Sequence, residues 1–321
     1  MNILVTGGLG VNGCWVTRQL LEMGHRVIVL DNRADFSLLS DIARDFEFVE
    51  ADILDFDRIA AALKKGSVEA ICHLAAIYPE ACDVNPLAGF RISAMSTVQI
   101  LEAARITGVR RLVFTSSIAT LAPILTRSKG EALCVDEDYP ACPGDSGVYG
   151  ATKLASELMG QNYRRLFGLE FAALRYAPIY GPGKLAPRHG DASMFVLPRI
   201  IVNALAGIPT KLESPGDQLL DMTYARDVGD SVVRACVAEK LPSSIYHIGA
   251  GRTYTMREFC DEVRSVIPGA SIELAPDARE LAAPTWQFDI SRARRELGYE
   301  PRFPPALAVR DWLAWNARLG I

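Results

Sequence analysis

Hydrophobic and polar positions fall into two textures along the chain. Up to about Leu174, short runs of β-branched and aliphatic residues alternate with helical segments. NILVT (2–6) precedes a helical stretch to Met23, and RVIVLD (26–31) follows it. FEFVEAD (46–52) precedes IAAALKKG, and AICHLAA (70–76) precedes a helix ending near Gly108. RLVFTSS (111–117) and LEFAALRY (169–176) continue the series. Strands that are apolar on both faces and separated by helices predict a parallel sheet covered on both sides. The expected fold class is α/β, a doubly wound parallel sheet of the Rossmann type.

After Arg175 the texture changes. Segment 177–216 is rich in Gly and Pro (Pro178, Pro182, Pro187, Pro198, Pro209, Pro215), with one amphipathic helix around 195–206. There follow the strand-like SIYHIG (244–249), a helix around 256–267, the strand SIELA (271–275), a helix at SRARRELG and a terminal helix PALAVRDWLAWNARLG. No free linker, internal repeat or low-complexity tract interrupts this half. The expected division is residues 1–176 as the sheet domain and 177–321 as mainly a smaller lobe, with elements returning to the sheet.

With 321 residues, 50% hydrophobic and 22% charged, the chain can bury one large core or two unequal ones. A net charge of -4 gives no reason to expect nucleic acid or an anionic membrane as partner. The basic clusters Arg110-Arg111 and Arg292 to Arg295 read as solvated helix ends. Seven cysteines without a CxxC pair suit reduced thiols and a cytoplasmic location. None of the four histidines is paired at metal-ligand spacing, so no metal site is expected. The opening MNILVTG has no signal-peptide pattern, and no apolar run reaches the length of a membrane span.

The turn after the first strand, TGGLGVNG, spaces Gly7, Gly10 and Gly13 as GxxGxxG. Between a strand and a helix, such a turn lets a pyrophosphate approach the backbone at a helix N-terminus. Asp31 ends the second strand, where a carboxylate can accept both ribose hydroxyls of an adenosine and repel a 2′-phosphate; the alternative role is a strand-end cap. The expected cofactor is NAD, although Arg33 keeps NADP open. Asp52, closing FEFVEAD, is placed to touch the adenine.

In GVYGATKLASE (147–157), Tyr149 and Lys153 are four residues apart on a helical stretch and share a face. A nearby ammonium favours phenolate, so Lys153 is expected to lower the Tyr149 pKa. The pair alone is a weak pattern. Joined in order with TGGLGVNG, Asp31, Asp52-Ile53, HLAA (73–76), Ser117, LRYAPIYGPG (174–183) and DISRARRELGYEP, it makes the chain resemble the extended short-chain dehydrogenase/reductase family over nearly its whole length.

That resemblance implies that Tyr149 is the acid/base at the reacting oxygen, that Ser117 hydrogen-bonds the same oxygen, with Ser116 a weaker candidate, and that Lys153 binds the nicotinamide ribose. It implies an NAD site drawn from Gly7, Gly10, Val11, Asn12, Gly13, Asp31, Asn32, Arg33, Asp52, Ile53, Leu74, Ala75, Ala76, Tyr149, Lys153, Tyr176 and Pro178. Substrate contacts are expected from Tyr78, Ser117, Tyr149 and His189. The pocket would be closed by Ile77 and Tyr78, by 184–195 and by a lid within 118–148, which carries Pro123, Pro140 and Pro143. Family members often dimerise through helices corresponding to about 92–107 and 150–166. Here those helices carry Met95, Val98, Leu101, Leu154 and Leu158, which could equally cover the sheet; a homodimer is expected from the resemblance alone.

Three departures bear on the reaction. Ile118-Ala119 follow Ser117 where 4,6-dehydratases of the family commonly place Asp-Glu, which disfavours dehydration. Pro178 stands where nucleotide-sugar enzymes usually carry asparagine, and Leu220 where they usually carry a diphosphate-binding arginine. Arg188, Arg226 or Arg279 would have to compensate. The expected function is therefore NAD-dependent oxidation of a secondary hydroxyl on a small polar substrate: a sugar, sugar acid, polyol or hydroxy acid. The alternatives are a sugar or nucleotide-sugar 4-epimerase and a non-catalytic dinucleotide sensor, the latter opposed by the intact Ser117, Tyr149 and Lys153.

Overall fold

The apolar runs become strands because helices cover both of their faces. The structure, a computed structural model, describes residues 1–121, 133–141, 147–183, 196–276 and 286–319. Strands β1 (Asn2–Thr6), β2 (Arg26–Asp31), β3 (Glu47–Glu50), β4 (Ala70–His73), β5 (Arg111–Ser117), β6 (Glu170–Tyr176) and β7 (Ile245–Ile248) form one seven-stranded sheet in the order β3-β2-β1-β4-β5-β6-β7. Every neighbouring pair runs parallel. The main helices are α1 (Val11–Glu22), α2 (Phe56–Lys65), α3 (Ser96–Thr107), α4 (Gly147–Phe167), α5 (Ala225–Val237) and α6 (Pro305–Leu319).

Successive strand residues point to opposite faces, and the two cores divide accordingly. Ile3, Val5, Val29, Val113 and Leu174 pack with Trp15, Val16 and Leu20 of α1 and Val228 and Val232 of α5. Leu4, Ile28, Leu112 and Phe171 meet Ile59 and Leu63 of α2, Ile100 and Leu101 of α3, and Tyr163 of α4. Leu101 thus covers the sheet, whereas Met95 and Leu158 face outward, 44% and 51% exposed. A third core, which includes Tyr180, Leu212, Met222, Phe259 and Trp312, is built wholly from residues beyond 177. The last helix returns to the first: Trp315 of α6 lies 4.4 Å from Trp15, and Arg18, held by Asp41 at 2.7 Å, sits over the Trp315 ring.

One part of the fold gives the returning element its place, and another differs from the sequence reading. SIYHIG supplies the edge strand of the main sheet, β7, with all of its residues buried. An edge strand presents unpaired backbone groups to any passing chain. Here His247 N donates to Glu137 Oε1 at 2.9 Å, and Arg292 holds Glu137 at 3.3 Å. Arg111 is fully buried rather than solvated. Its guanidinium pairs with Glu170 at 2.8 Å and donates to the carbonyls of Ala235, Cys236 and Ala238, capping the otherwise unsatisfied end of α5. Among the described residues no helix is long and apolar enough to cross a membrane.

Candidate active site

The loops at the C-terminal ends of β1, β2, β4 and β5 meet around one cleft, with the start of α4 as its wall. Gly7 turns the chain at φ +66°, and a Cβ there would stand 2.9 Å from Ala75 N. A Cβ on Gly13 would stand 2.1 Å from Gly7 O, so neither position admits a side chain. Gly10 caps α1 without a side-chain hydrogen bond, and the first turn holds no acid. Its N–H groups are left for an anion. Val11 and Asn12 begin the helix, and Asn12 Oδ1 is buried there without a partner.

Asp31 accepts from Leu9 N at 3.2 Å and from Asn32 N at 2.9 Å, which aims the carboxylate at the glycine turn. Burial pushes its carboxyl above the ordinary value, with hydrogen bonds from Leu9, Asn32 and Arg33 opposing. Asp52 accepts from Leu54 N at 2.8 Å and shares with Asn32, Glu50, Ala51 and Arg58 a groove of about 380 Å³. Arg33 is exposed, and Ile53 is buried in the core. Leu74 and Ala75 are partly buried beside Gly7, and Ala76 is exposed. A bare helix N-terminus, an orphaned amide oxygen and a carboxylate at the end of β2 fit a dinucleotide.

Ser117 is the last residue of β5, and Tyr149 and Lys153 lie on the first turns of α4. Ser117 lies close enough to the Tyr149 phenol to act on it as a hydrogen-bonding neighbour. Lys153 Nζ donates to Thr115 O at 2.7 Å and lies 5.5 Å from the centre of the Tyr149 ring. The structure therefore brings the three residues together, but not with the expected electrostatics. Burial raises the Tyr149 phenol above its ordinary value, opposed by the Ser117 hydrogen bond, and burial lowers Lys153 to about 8. Desolvation disfavours both charged forms and is the largest influence on each.

A consequence for stability follows from Lys153. Its pKa falls from 10.5 to about 8 on folding, so between these values the unfolded chain binds more protons and stability rises with pH. Lys153→Met removes that charge penalty and gives up the Thr115 contact. We expect it to be more stable than wild type at pH 7 by about 2 kcal/mol. In urea unfolding the difference should shrink as pH rises past 8 towards 10.5. A variant less stable at pH 7 would show that the contacts with Thr115 and Phe114 outweigh desolvation.

Ser116 is removed as an alternative to Ser117, because its Oγ donates to the buried Glu157 Oε1 at 2.5 Å. The side chain of Tyr176 is 3% exposed and its hydroxyl meets Ser231 Oγ in the core at 2.9 Å, which leaves only its backbone for the cleft. Pro178 is exposed, and its carbonyl accepts from Thr223 N. Tyr78, at the N-cap of the short helix Pro79–Val84, is partly buried, and burial raises its phenol. Leu220 pairs with Tyr254 and packs on the third core. Arg226 is engaged by Asp311 and lies between the Trp15 and Phe303 rings, so it is not a free diphosphate ligand. His189, Arg188, Arg279, segment 184–195 and most of the expected lid lie outside the described residues.

The sequence reading missed Cys82, whose fully buried thiol influences both Tyr149 and Lys153. It also missed the buried network of Thr6, His73 and Thr97 behind the glycine turn. A lone cysteine in a short helix gives no sequence signal.

The family model described as the NAD dependent epimerase/dehydratase family matches residues 3–249. The chain belongs to this family. The UDP-glucose 4-epimerase of Mycolicibacterium smegmatis is 32% identical to it over 313 residues, covering 94% of each chain. The Thermus thermophilus UDP-glucose 4-epimerase, solved in complex with NAD, shares 27% identity and a TM-score of 0.80 over 98% of both chains. The Stenotrophomonas maltophila UDP-glucose-4-epimerase, solved with NAD and formylated UDP-arabinopyranose, gives a TM-score of 0.85 at 25% identity, covering 100% of this chain and 99% of that one. This member of the epimerase/dehydratase family is an enzyme with a Rossmann fold, and its cofactor is NAD.

Proposed function

We propose that the protein is an NAD-dependent 4-epimerase acting on a nucleoside-diphosphate sugar. The observation that carries this reading is the match to UDP-glucose 4-epimerase along 94% of both chains, with Ser117, Tyr149 and Lys153 intact and converging at the end of β5. It reverses the order of the sequence-based expectations, in which oxidation of a small polar substrate came first. Leu220 and Pro178 favour that second reading, because neither supplies the donor that a diphosphate wants.

Bound NAD would supply the hydride acceptor and, on return, the hydride donor. Oxidising a carbinol carbon requires its hydroxyl to lose a proton, and Tyr149 is the group placed to take that proton and give it back. Ser117 would hold the same oxygen by hydrogen bonding, and Lys153 would bind the nicotinamide ribose and favour phenolate by its charge. Gly7, Gly10, Asn12, Asp31 and the loop Leu74–Ala76 would hold the cofactor. Burial raises the Tyr149 phenol, and positive charge beside it would oppose that shift.

The test is incubation with UDP-glucose and, separately, UDP-galactose, following the sugar signals by NMR and NADH by absorbance. Interconversion without net NADH is the expected result. Steady NADH accumulation with an oxidised product would overturn it in favour of dehydrogenation. The same proposal takes the active species to be a homodimer, for which Leu87, Phe90, Met95 and Leu158, 69%, 50%, 44% and 51% exposed, supply apolar surface. Light scattering on the assayed sample should give 70 kDa, twice the 35.0 kDa chain; full activity in a monomer would refute the dimer.

A further inference from the structure

His73 lies at the end of β4, fully buried, behind the loop that touches the glycine turn. Both ring nitrogens face hydroxyls: Nδ1 is 2.7 Å from Thr6 Oγ1, and Nε2 is 3.2 Å from Thr97 Oγ1. Counting protons settles the tautomer. Thr97 donates its only hydroxyl hydrogen to Ser93 O at 2.9 Å and accepts from Ser156 Oγ at 3.2 Å, which leaves one lone pair to accept from His73 and places the hydrogen on Nε2. Thr6 Oγ1 already accepts from Ala75 N at 3.3 Å and from Leu74 N at 3.2 Å, an amide it shares with Thr6 O at the same distance. Its lone pairs are filled, so it must donate its hydrogen, and Nδ1 is the acceptor.

We infer that His73 is a positioning residue for the cofactor: its Nδ1 fixes the Thr6 hydroxyl, which holds the Leu74 and Ala75 amides and so presses the Leu74–Ala76 loop against Gly7. The backbone approach there is close, since a Cβ on Gly7 would meet Ala75 N at 2.9 Å. The other nitrogen has a different task, tying β4 to α3 through Thr97. One imidazole thus carries a cofactor-facing acceptor and a core-facing donor. A protonated ring would aim a second hydrogen at a hydroxyl with no lone pair free. Burial and the charge of Lys153 hold His73 neutral, with its pKa down to about 3.

The two ends can be separated by substitution. The Asn amide reaches the position of Nδ1 but not that of Nε2, and the Gln amide the reverse. His73→Asn should therefore keep NADH affinity within about threefold of wild type, while His73→Gln should lose about tenfold or more, an energy of the size expected for one buried hydrogen bond. Thr6→Val should match His73→Gln, and the Thr6→Val/His73→Gln double variant should bind no worse than either single change. Amide hydrogen exchange without cofactor supplies a second readout: Ala75 should exchange faster in His73→Gln and Thr6→Val but not in His73→Asn, while Leu74, held also by Thr6 O, should change less. Equal losses in His73→Asn and His73→Gln, additive losses in the double variant, or unchanged exchange at Ala75 would overturn the inference. The inference rests on the NAD site described above. Wild-type NADH binding reads that site, whereas the differences among variants read His73.

Discussion

Tyr149→Phe should lower turnover by about 10²- to 10⁴-fold, the range that a positioned acid/base contributes, and leave NADH affinity near wild type. The substitution removes one oxygen. The ring stays beside Lys153, and Ser117 keeps the hydrogen bond it accepts from Ala119 N at 3.1 Å. The phenol of Tyr78 and the thiol of Cys82, which both influence Tyr149, are raised by burial, away from useful acidity, so neither replaces it in proton transfer. Initial rates with the nucleotide sugar and NADH fluorescence titration check both halves. A rate within tenfold of wild type would remove Tyr149 from the chemistry. Loss of rate and cofactor binding together would assign it to the binding site.

The buried pair Glu157–Arg175 should carry the largest stability effect of any single polar contact in the sheet domain. Glu157 is 0% and Arg175 4% exposed, and two hydrogen bonds of 2.9 and 2.7 Å join them. Breaking such a pair strands the other charge in the core. Arg175→Met or Glu157→Gln should each cost about 3–5 kcal/mol in urea unfolding. Replacing both with Met should cost less than either single change, because no unpaired charge remains. Single variants within 1 kcal/mol of wild type would show that water reaches the site. The pair also has a positional role. Glu157 lies one helical turn beyond Lys153 and accepts from Ser116, the neighbour of Ser117, so it helps set α4 against the end of β5.

Much of the sheet domain is legible in the chain because its strands are buried on both faces. Four of the expected runs match their strands at both ends or within one residue: β1, β2, β5 and β6. FEFVEAD and AICHLAA were read too long, since their last residues leave the sheet to form the loops that line the cleft. The glycine turn, Asp31 and the Tyr149–Lys153 spacing are also local features, fixed by a few neighbouring residues. Ser116 and Ser117 are different. Adjacent strand residues face opposite ways, and only the position of Glu157 tells which hydroxyl is consumed and which one reaches Tyr149.

Charge and partnership were the least legible. Arg111 looks like a surface residue beside Arg110, yet it caps a helix more than a hundred positions away in the chain. Arg226 looks like a spare ligand but belongs to Asp311. Tyr176 sits in a cofactor-binding motif but turns its hydroxyl to Ser231.

By itself the order of apolar runs, glycines and i, i+4 polar pairs determined the fold class, the dinucleotide turn and the pairing of Tyr149 with Lys153 on one helix face, because each is encoded over a span of one or two secondary-structure elements. The tertiary structure alone decided that β7 joins the main sheet, that Lys153 and Tyr149 are both desolvated, and that His73 has a hydroxyl at each nitrogen. Those properties depend on what approaches a side chain from elsewhere in the chain. Desolvation and hydrogen-bond partnership are set by that approach, and residue type and spacing do not record it.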